Sequence, residues 1–389
     1  MKTKNILLIT LGHKYRYFNG RDYKIPIACG GMEKNIINNL DILKNSFNVY
    51  LILVGLDKLP PYIASGIEII PGRSYVFFLK NLIRNIPFGI NNFTEKTTII
   101  MVHNYFLFVI FSKLFKPKVK VCLFVESELS KLLWRPYGNI FTKLIYLLIT
   151  LIGLSLADKI IKASNKTCWL EEKSTFIKRK SYYLQNALNK EMFKPFQEGR
   201  FSKTEALPNL KKDDLLLLYV GRVYNVDQKN PLLLFRSFEI VQKKFPEIKL
   251  LIVSPDIKKS KELFNKLDIQ QNKNIYFTGP IPNDNLPEYY WASDLTLLTS
   301  NIEGASYAII ESLACGTPCV ATNAIDNGII TDDINGYICK SKNPEDFAKT
   351  ILKGLNLSAK IKSKGEDLLG TKYDLQTREK VLSKILSEL

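Results

Sequence analysis

The chain has no hydrophobic run long enough to cross a bilayer. The uncharged apolar stretch Leu144–Ala157 has 14 residues, against the roughly 20 that a spanning helix requires. That stretch reads either as a buried helix or as a helix lying partly in a membrane interface. Disulfide patterning is missing as well. The six cysteines (Cys29, Cys122, Cys168, Cys315, Cys319 and Cys339) form no Cys-x-x-Cys pair and no disulfide-like framework, which points to reduced thiols in a cytoplasmic setting. Met1-Lys-Thr-Lys4 leads into Asn-Ile-Leu-Leu-Ile-Thr10. This run is too short for a secretion signal and reads as a first strand. Short repeats and low-complexity tracts are absent.

Acidic residues are scarce in the first half. Residues 1–190 hold 11 Asp and Glu against 28 Lys and Arg, a balance of +17. Residues 191–389 hold 26 against 27, a balance of +1. A near-neutral half joined to a strongly basic one implies that the basic half meets a polyanion. Its bases are interleaved with aromatics, as in Tyr75–Arg84 and Phe111–Lys120, a mixture that suits anionic lipid headgroups. Nucleic acid is the alternative partner, and a merely soluble Lys-rich surface is the plain one.

With 389 residues, 46% of them hydrophobic, the chain is globular and long enough for two domains of about 150–200 residues each. Short apolar runs alternate with helical patterns, the mark of an α/β protein with parallel sheets. The first half predicts strands near Asn5–Thr10, Val49–Val54, Thr98–Val102, Val119–Val125 and Lys159–Ala163, and a helix after Gly30-Gly31. A polar stretch at 197–214 reads as the linker. Beyond it the pattern predicts strands at Leu215–Val220, Lys249–Val253, Ile275–Thr278, Leu295–Leu298 and Cys319–Thr322. Helices are expected at Pro231–Lys244, Lys259–Leu267 and Leu286–Ala292, with helices alone after Thr322. The expected architecture is two Rossmann-like doubly wound domains facing across a cleft. Their bounds are 1–190 and 191–372, with a last helix at 373–389 rejoining the first. Ligands of such sheets bind at the C-terminal ends of strands.

Three elements carry chemistry. The first is a pair of acids, Glu303 and Glu311, in Ser300-Asn-Ile-Glu-Gly-Ala-Ser-Tyr-Ala-Ile-Ile-Glu311. Glu303 is placed at a strand-to-helix turn and Glu311 two helical turns in, so a spacing of eight puts both on one helix face. Gly304 permits a close approach, and the N–H groups of Ala305, Ser306 and Tyr307 can meet a phosphate at the positive end of the helix. Glu303 can accept hydrogen bonds from hydroxyls, and Glu311 from a ribose cis-diol. The second element is Gly221-Arg222 with Lys229, a strand end where glycine allows close approach and two cations suit a diphosphate. Two surface bases in a loop is the plainer alternative. The third is Gly30-Gly31, a double glycine before a helix, which alone is weak.

Taken together, these elements resemble the retaining glycosyltransferases of the GT-B fold, specifically glycosyltransferase family 4. The resemblance spans nearly the whole chain. It includes Leu156–Ser164, Asn274–Pro280, Leu286–Asp294 and Asp333–Ile338, and it is most specific in Glu311-Ser-Leu-Ala-Cys-Gly-Thr-Pro-Cys-Val-Ala-Thr322. It implies a nucleotide-sugar donor held mainly by the C-terminal domain. Arg222 and Lys229 would hold the diphosphate, Glu303 the sugar and Glu311 the ribose. The backbone at Gly279, Pro280 and Ile281 would meet the base, and Gly31 would approach the phosphates. It also implies a metal-independent, cofactor-free reaction, in keeping with the absence of an Asp-x-Asp motif, in which the cations replace a metal. Retention would proceed by front-face attack without a protein nucleophile.

The chain departs from the family pattern in three places. Glu126 stands where a cleft histidine is usual, and is carried here as a catalytic candidate. The histidines are only His13 and His103, and His103 reads as a strand-end residue near the cleft or as a structural histidine. Asn186-Ala187 replaces the usual Asn-Gly, and Ser254-Pro-Asp256 a usual Gly-x-Gly. The expectation is a cytoplasmic hexosyltransferase, peripheral at the inner face of the plasma membrane. It would extend a glycan or lipid-linked acceptor in polysaccharide or glycolipid synthesis, with no nucleic-acid partner. A GT-B sugar-nucleotide epimerase and a nucleic-acid-binding or DNA-modifying GT-B protein are the alternatives.

Overall fold

Apolar runs such as Asn-Ile-Leu-Leu-Ile-Thr-Leu suit strands covered on both faces, and they build parallel sheets here. The computed structural model describes residues 5–11, 31–54, 62–64, 67–72, 98–103, 106–115, 117–125, 140–163, 173–196, 210–211, 213–267, 272–325, 328–361 and 365–389. Most of the expected linker, together with Gly30 and Glu126, lies outside these residues. The chain forms two compact units. One includes Met32–Asn186 and Leu375–Leu389, the other Ala187–Asp374.

In chain order the N-terminal unit comprises β1 (Asn5–Leu11), α1 (Gly31–Ser46), β2 (Asn48–Val54), β3 (Tyr62–Ala64), β4 (Ile67–Gly72) and β5 (Thr98–His103). There follow α2 (Phe106–Phe115), β6 (Lys120–Val125), α3 (Ile140–Leu156), β7 (Lys159–Lys162), α4 (Thr175–Arg179) and β8 (Ser181–Tyr183). Among the described residues the strands form one sheet in the order β3-β4-β2-β1-β5-β6-β7-β8, parallel except for β3 against β4. The order reverses between β1 and β5, so their C-terminal ends flank a switch point.

The C-terminal unit follows with β9 (Leu216–Val220), α5 (Val226–Lys229), α6 (Pro231–Lys244), β10 (Lys249–Val253), α7 (Ile257–Lys266), β11 (Ile275–Thr278) and α8 (Leu286–Ala292). It continues with β12 (Leu295–Leu298), α9 (Tyr307–Ala314), β13 (Cys319–Thr322), β14 (Gly336–Cys339) and α10 (Pro344–Ile361). Its sheet order is β11-β10-β9-β12-β13-β14, parallel throughout. The chain winds outward from β9 to β11, then returns to the other side of β9 with β12. The switch point is therefore between β9 and β12.

β14 replaces the all-helical tail expected after Thr322. Its four residues are too few to show a period. They pair with β13 because Gly336 lets the backbones meet: a Cβ there would sit 2.1 Å from the Cys319 carbonyl oxygen.

The last helix, α11 (Leu375–Ser387), belongs to the N-terminal unit. Its Leu382, Ile385 and Leu386 join Ile6, Leu40, Leu43, Ile99 and Phe124 in one buried cluster. Arg378, also buried, donates from Nε and Nη2 to Asn39 Oδ1 at 3.0 and 2.9 Å, and from Nη1 to the Gln185 carbonyl. A buried guanidinium is tolerable only when hydrogen-bonded in this way.

Candidate active site

The strands β9 and β12 are parallel neighbours, so the loops leaving their C-terminal ends emerge side by side. The β9 loop begins at Gly221, whose φ of +151° is one that residues with a Cβ rarely adopt. The Gly221 N–H is bonded to the Val253 carbonyl at 3.0 Å. Arg222 is exposed, and its side chain has no hydrogen-bond or ion-pair partner among the described residues. The chain then makes the single helical turn α5 and reverses at Asn230, a non-glycine residue in the left-handed region (φ 44°, ψ 63°). The Asn230 side chain accepts from the Leu233 N–H at 3.3 Å and caps α6. Pro231 opens that helix, where its fixed φ fits.

This geometry aims Lys229 at the second loop. Its Nζ lies 2.6 Å from Glu303 Oε2, with the two side chains 12% and 13% exposed. Ser300 Oγ donates to the same carboxylate oxygen at 2.9 Å. Backbone and side-chain bonds lace the loops together. Thr299 Oγ1 donates to the Lys229 carbonyl at 2.8 Å. The Asn301 N–H donates to the Gln228 carbonyl at 2.7 Å, and Asn301 Nδ2 to that of Asp227 at 3.2 Å. Thr322 Oγ1, at the end of β13, donates to the Ser300 carbonyl. A cation and an anion are thus fixed at the switch point of a doubly wound sheet, where such folds bind ligands.

The expectation that both acids share a helix face is corrected. α9 begins at Tyr307, so Glu303 sits in the loop before it, and Glu311 is the fifth helical residue, little more than one turn in. The loop is held by Ser300, Thr299 and Asn301 in place of helical bonds. Glu311 is 2% exposed and its Oε2 accepts from Tyr290 Oη at 2.8 Å. Burial, and then the neighbouring Glu311 carboxylate, push the Tyr290 phenol well above its ordinary range. Tyr290 therefore remains a donor. Ser306 precedes α9 in extended backbone without a side-chain cap, and Gly304 and Ala305 are half-buried beside it.

The other expected residues fall as follows. Gly279 follows β11, and a Cβ there would meet nothing within 4 Å. Pro280 is exposed, and Ile281 packs on the core of the unit. Gly31 opens α1 and His103 closes β5. A surface groove of about 730 Å³ lined by Arg236, Gln242, Lys243, Pro246, Asn272 and Glu345 contains none of these residues. Sequence reading missed Thr299, Asn301, Asn230 and the tyrosine on Glu311. The only signal for the first two was their place beside Glu303.

Solved structures share this fold. Sucrose-phosphate synthase from Thermosynechococcus elongatus superimposes with a TM-score of 0.74 at 15% identity, over 99% of this chain and 98% of that one. Anabaena HepE, solved in complex with UDP-glucose, gives a TM-score of 0.70 at 14% identity, over 99% and 100%. The fold is that of the GT-B glycosyltransferases. Residues 202–366 match the family of glycosyl transferases group 1, and every site residue from Gly221 to Glu311 lies within that match. A curated relative described as an uncharacterized glycosyltransferase of Haemophilus influenzae is 25% identical, over 83% of this chain and 86% of its own length. Several other curated relatives are matched over less than half of their own length. These likenesses support a GT-B glycosyltransferase.

Proposed function

We propose that this GT-B glycosyltransferase is a retaining, metal-independent enzyme that transfers a hexose from a nucleoside diphosphate sugar to a glycan or lipid-linked acceptor. The reading rests on the Lys229–Glu303 pair beside exposed Arg222 at the β9–β12 switch point. HepE and its bound UDP-glucose give the donor class by analogy.

In this reading Arg222 forks onto the donor diphosphate, and Lys229 turns from Glu303 to the phosphate nearest the sugar. Two fixed cations then neutralise the charge that grows on the departing diphosphate. Glu303, relieved of its lysine, accepts hydrogen bonds from the sugar hydroxyls. The departing phosphate takes the acceptor proton on the face it leaves, so configuration is retained without a protein nucleophile. Glu311, oriented by Tyr290, accepts from the ribose, and the open space at Gly279 admits the base. Glu126 and His103, beyond these contacts, complete the proposed set on the N-terminal unit.

The test is incubation with a panel of nucleotide sugars and mixed glycan and lipid acceptors, followed by mass spectrometry and by NMR of the anomeric centre. The reading expects one donor to be consumed with the configuration kept, unaffected by a chelator, and a loss of at least about a hundredfold in Glu303→Gln. An inverted product, or turnover unchanged in Glu303→Gln, defeats it.

A further inference from the structure

The helix α3 turns a broad apolar face outward. Ile140 and Phe141 are 78% and 66% exposed, and Leu144, Leu148, Leu151 and Ile152 are exposed as well. Their spacing, 140, 144, 148 and 151–152, traces one helical face. The opposite side packs inward, with Leu154 fully buried. Thr150 and Gly153 are buried, and Gly153 lies so close to α2 that a Cβ would approach Phe106 Cβ to 2.7 Å. Helix α2 adds exposed Leu107 and Leu114. Contiguous apolar patches of this kind mark interaction surfaces.

Cations frame the patch. At the C-terminal end of α3, Lys180 Nζ donates to the carbonyls of Ser155 and Ala157 at 2.7 and 2.8 Å. It also stands 4.3 Å over the ring of Phe176, itself exposed. This anchors α4, with exposed Lys178 and Arg179, to the end of the stripe. Lys143 lies within α3, and exposed Lys118 and Lys120 follow α2. Among the described residues no helix is long and apolar enough to cross a membrane. At 17 residues α3 is about 25 Å long, suited to lying in the plane of a bilayer surface.

We propose that the α2–α3 face of the N-terminal unit docks on an anionic lipid bilayer, with the α3 stripe in the acyl boundary and Lys178, Arg179 and Lys118 on the headgroups. Apolar insertion supplies the grip, and the +17 balance of residues 1–190 selects the anionic surface. The proposal is independent of the donor chemistry.

The experiment is co-sedimentation of the full-length protein with vesicles of phosphatidylcholine alone and of equal parts phosphatidylcholine and phosphatidylglycerol. Binding is expected to the mixed vesicles, at least about tenfold weaker to the neutral ones, and reduced by salt. Leu144→Ser/Leu148→Ser should lower partitioning about tenfold or more, and Lys178→Gln/Arg179→Gln should lower it on anionic vesicles alone. All variants should keep the wild-type circular dichroism and thermal midpoint, since these side chains are outside the core. Equal binding of the leucine variant overturns the proposal. So does a wild-type dimer in sedimentation equilibrium that the leucine variant converts to monomer, because the face would then belong to a second copy.

Discussion

Lys229 Nζ and Glu303 Oε2 are 2.6 Å apart across the two loops that leave neighbouring strands β9 and β12. A pair this shielded binds its charges to each other until a ligand offers a better partner. Lys229→Met or Glu303→Gln leaves the other charge unpaired and should cost about 1–3 kcal/mol in urea unfolding. In the double variant the two costs should fall short of adding by at least about 0.5 kcal/mol. Strict additivity would show that the contact carries no energy of its own.

Tyr290→Phe tests the second acid. The substitution keeps the ring but removes the hydroxyl that donates to Glu311 Oε2. A buried carboxylate that loses a donor should lower stability by about 1–3 kcal/mol. If the Glu311 carboxylate meets the donor ribose, KM for donor should rise with kcat little changed. A stable variant with wild-type KM would leave Tyr290 as core packing alone.

Gly336→Ala probes the β13–β14 contact. The added methyl would lie 2.1 Å from a backbone oxygen that cannot rotate away. A loss of about 3 kcal/mol or more is expected by denaturant titration, at the upper end for overpacking. Gly279→Ala, with open space around it, should cost far less.

Alkaline pH should destabilise the protein. Burial raises the thiols of Cys122 and Cys319, the latter to about 12, and the phenols of Tyr219 and Tyr290. Groups raised in the fold stabilise it fully below their unfolded values, here 9.0 and 10.0. That contribution is lost as pH climbs from there through the folded values. Lys180 acts the other way. Burial lowers it to about 8, so its protonated form opposes folding and relief comes between about 8 and 10.5, diminished because the group is only half-buried. The raised thiols and phenols outweigh this one lysine and predict a net fall in unfolding free energy above about pH 9.5. Urea titrations across that range check it, and a steady rise would contradict it.

Much of the C-terminal unit was legible in the sequence. Pro231 at the first helical position and the dense apolar runs Lys249–Val253 and Leu295–Leu298 mark their elements by local chemistry alone, and these three have the expected bounds. What escaped was set by tertiary contacts. β8 and β14, three and four residues long, have no readable period and exist because a neighbouring strand edge receives them. The start of α9 at Tyr307 was misjudged for a related reason. The residues from Ser300 to Ser306 satisfy themselves on the β9 loop through Thr299, Asn301 and Glu303, and no nearest-neighbour pattern reports that. The site's residue types were visible, but the closeness of Lys229 and Glu303, 74 positions apart, was not.

The most direct measurement is thermal unfolding of the wild-type protein and of Arg222→Ala/Lys229→Ala with a panel of nucleoside diphosphate sugars. At a hundredfold excess over Kd, one donor should raise the wild-type midpoint by roughly 5 °C or more. The same donor should leave the doubly substituted protein unmoved. An equal shift in both proteins would contradict the assignment of these cations, and no shift with any donor would contradict the donor site itself.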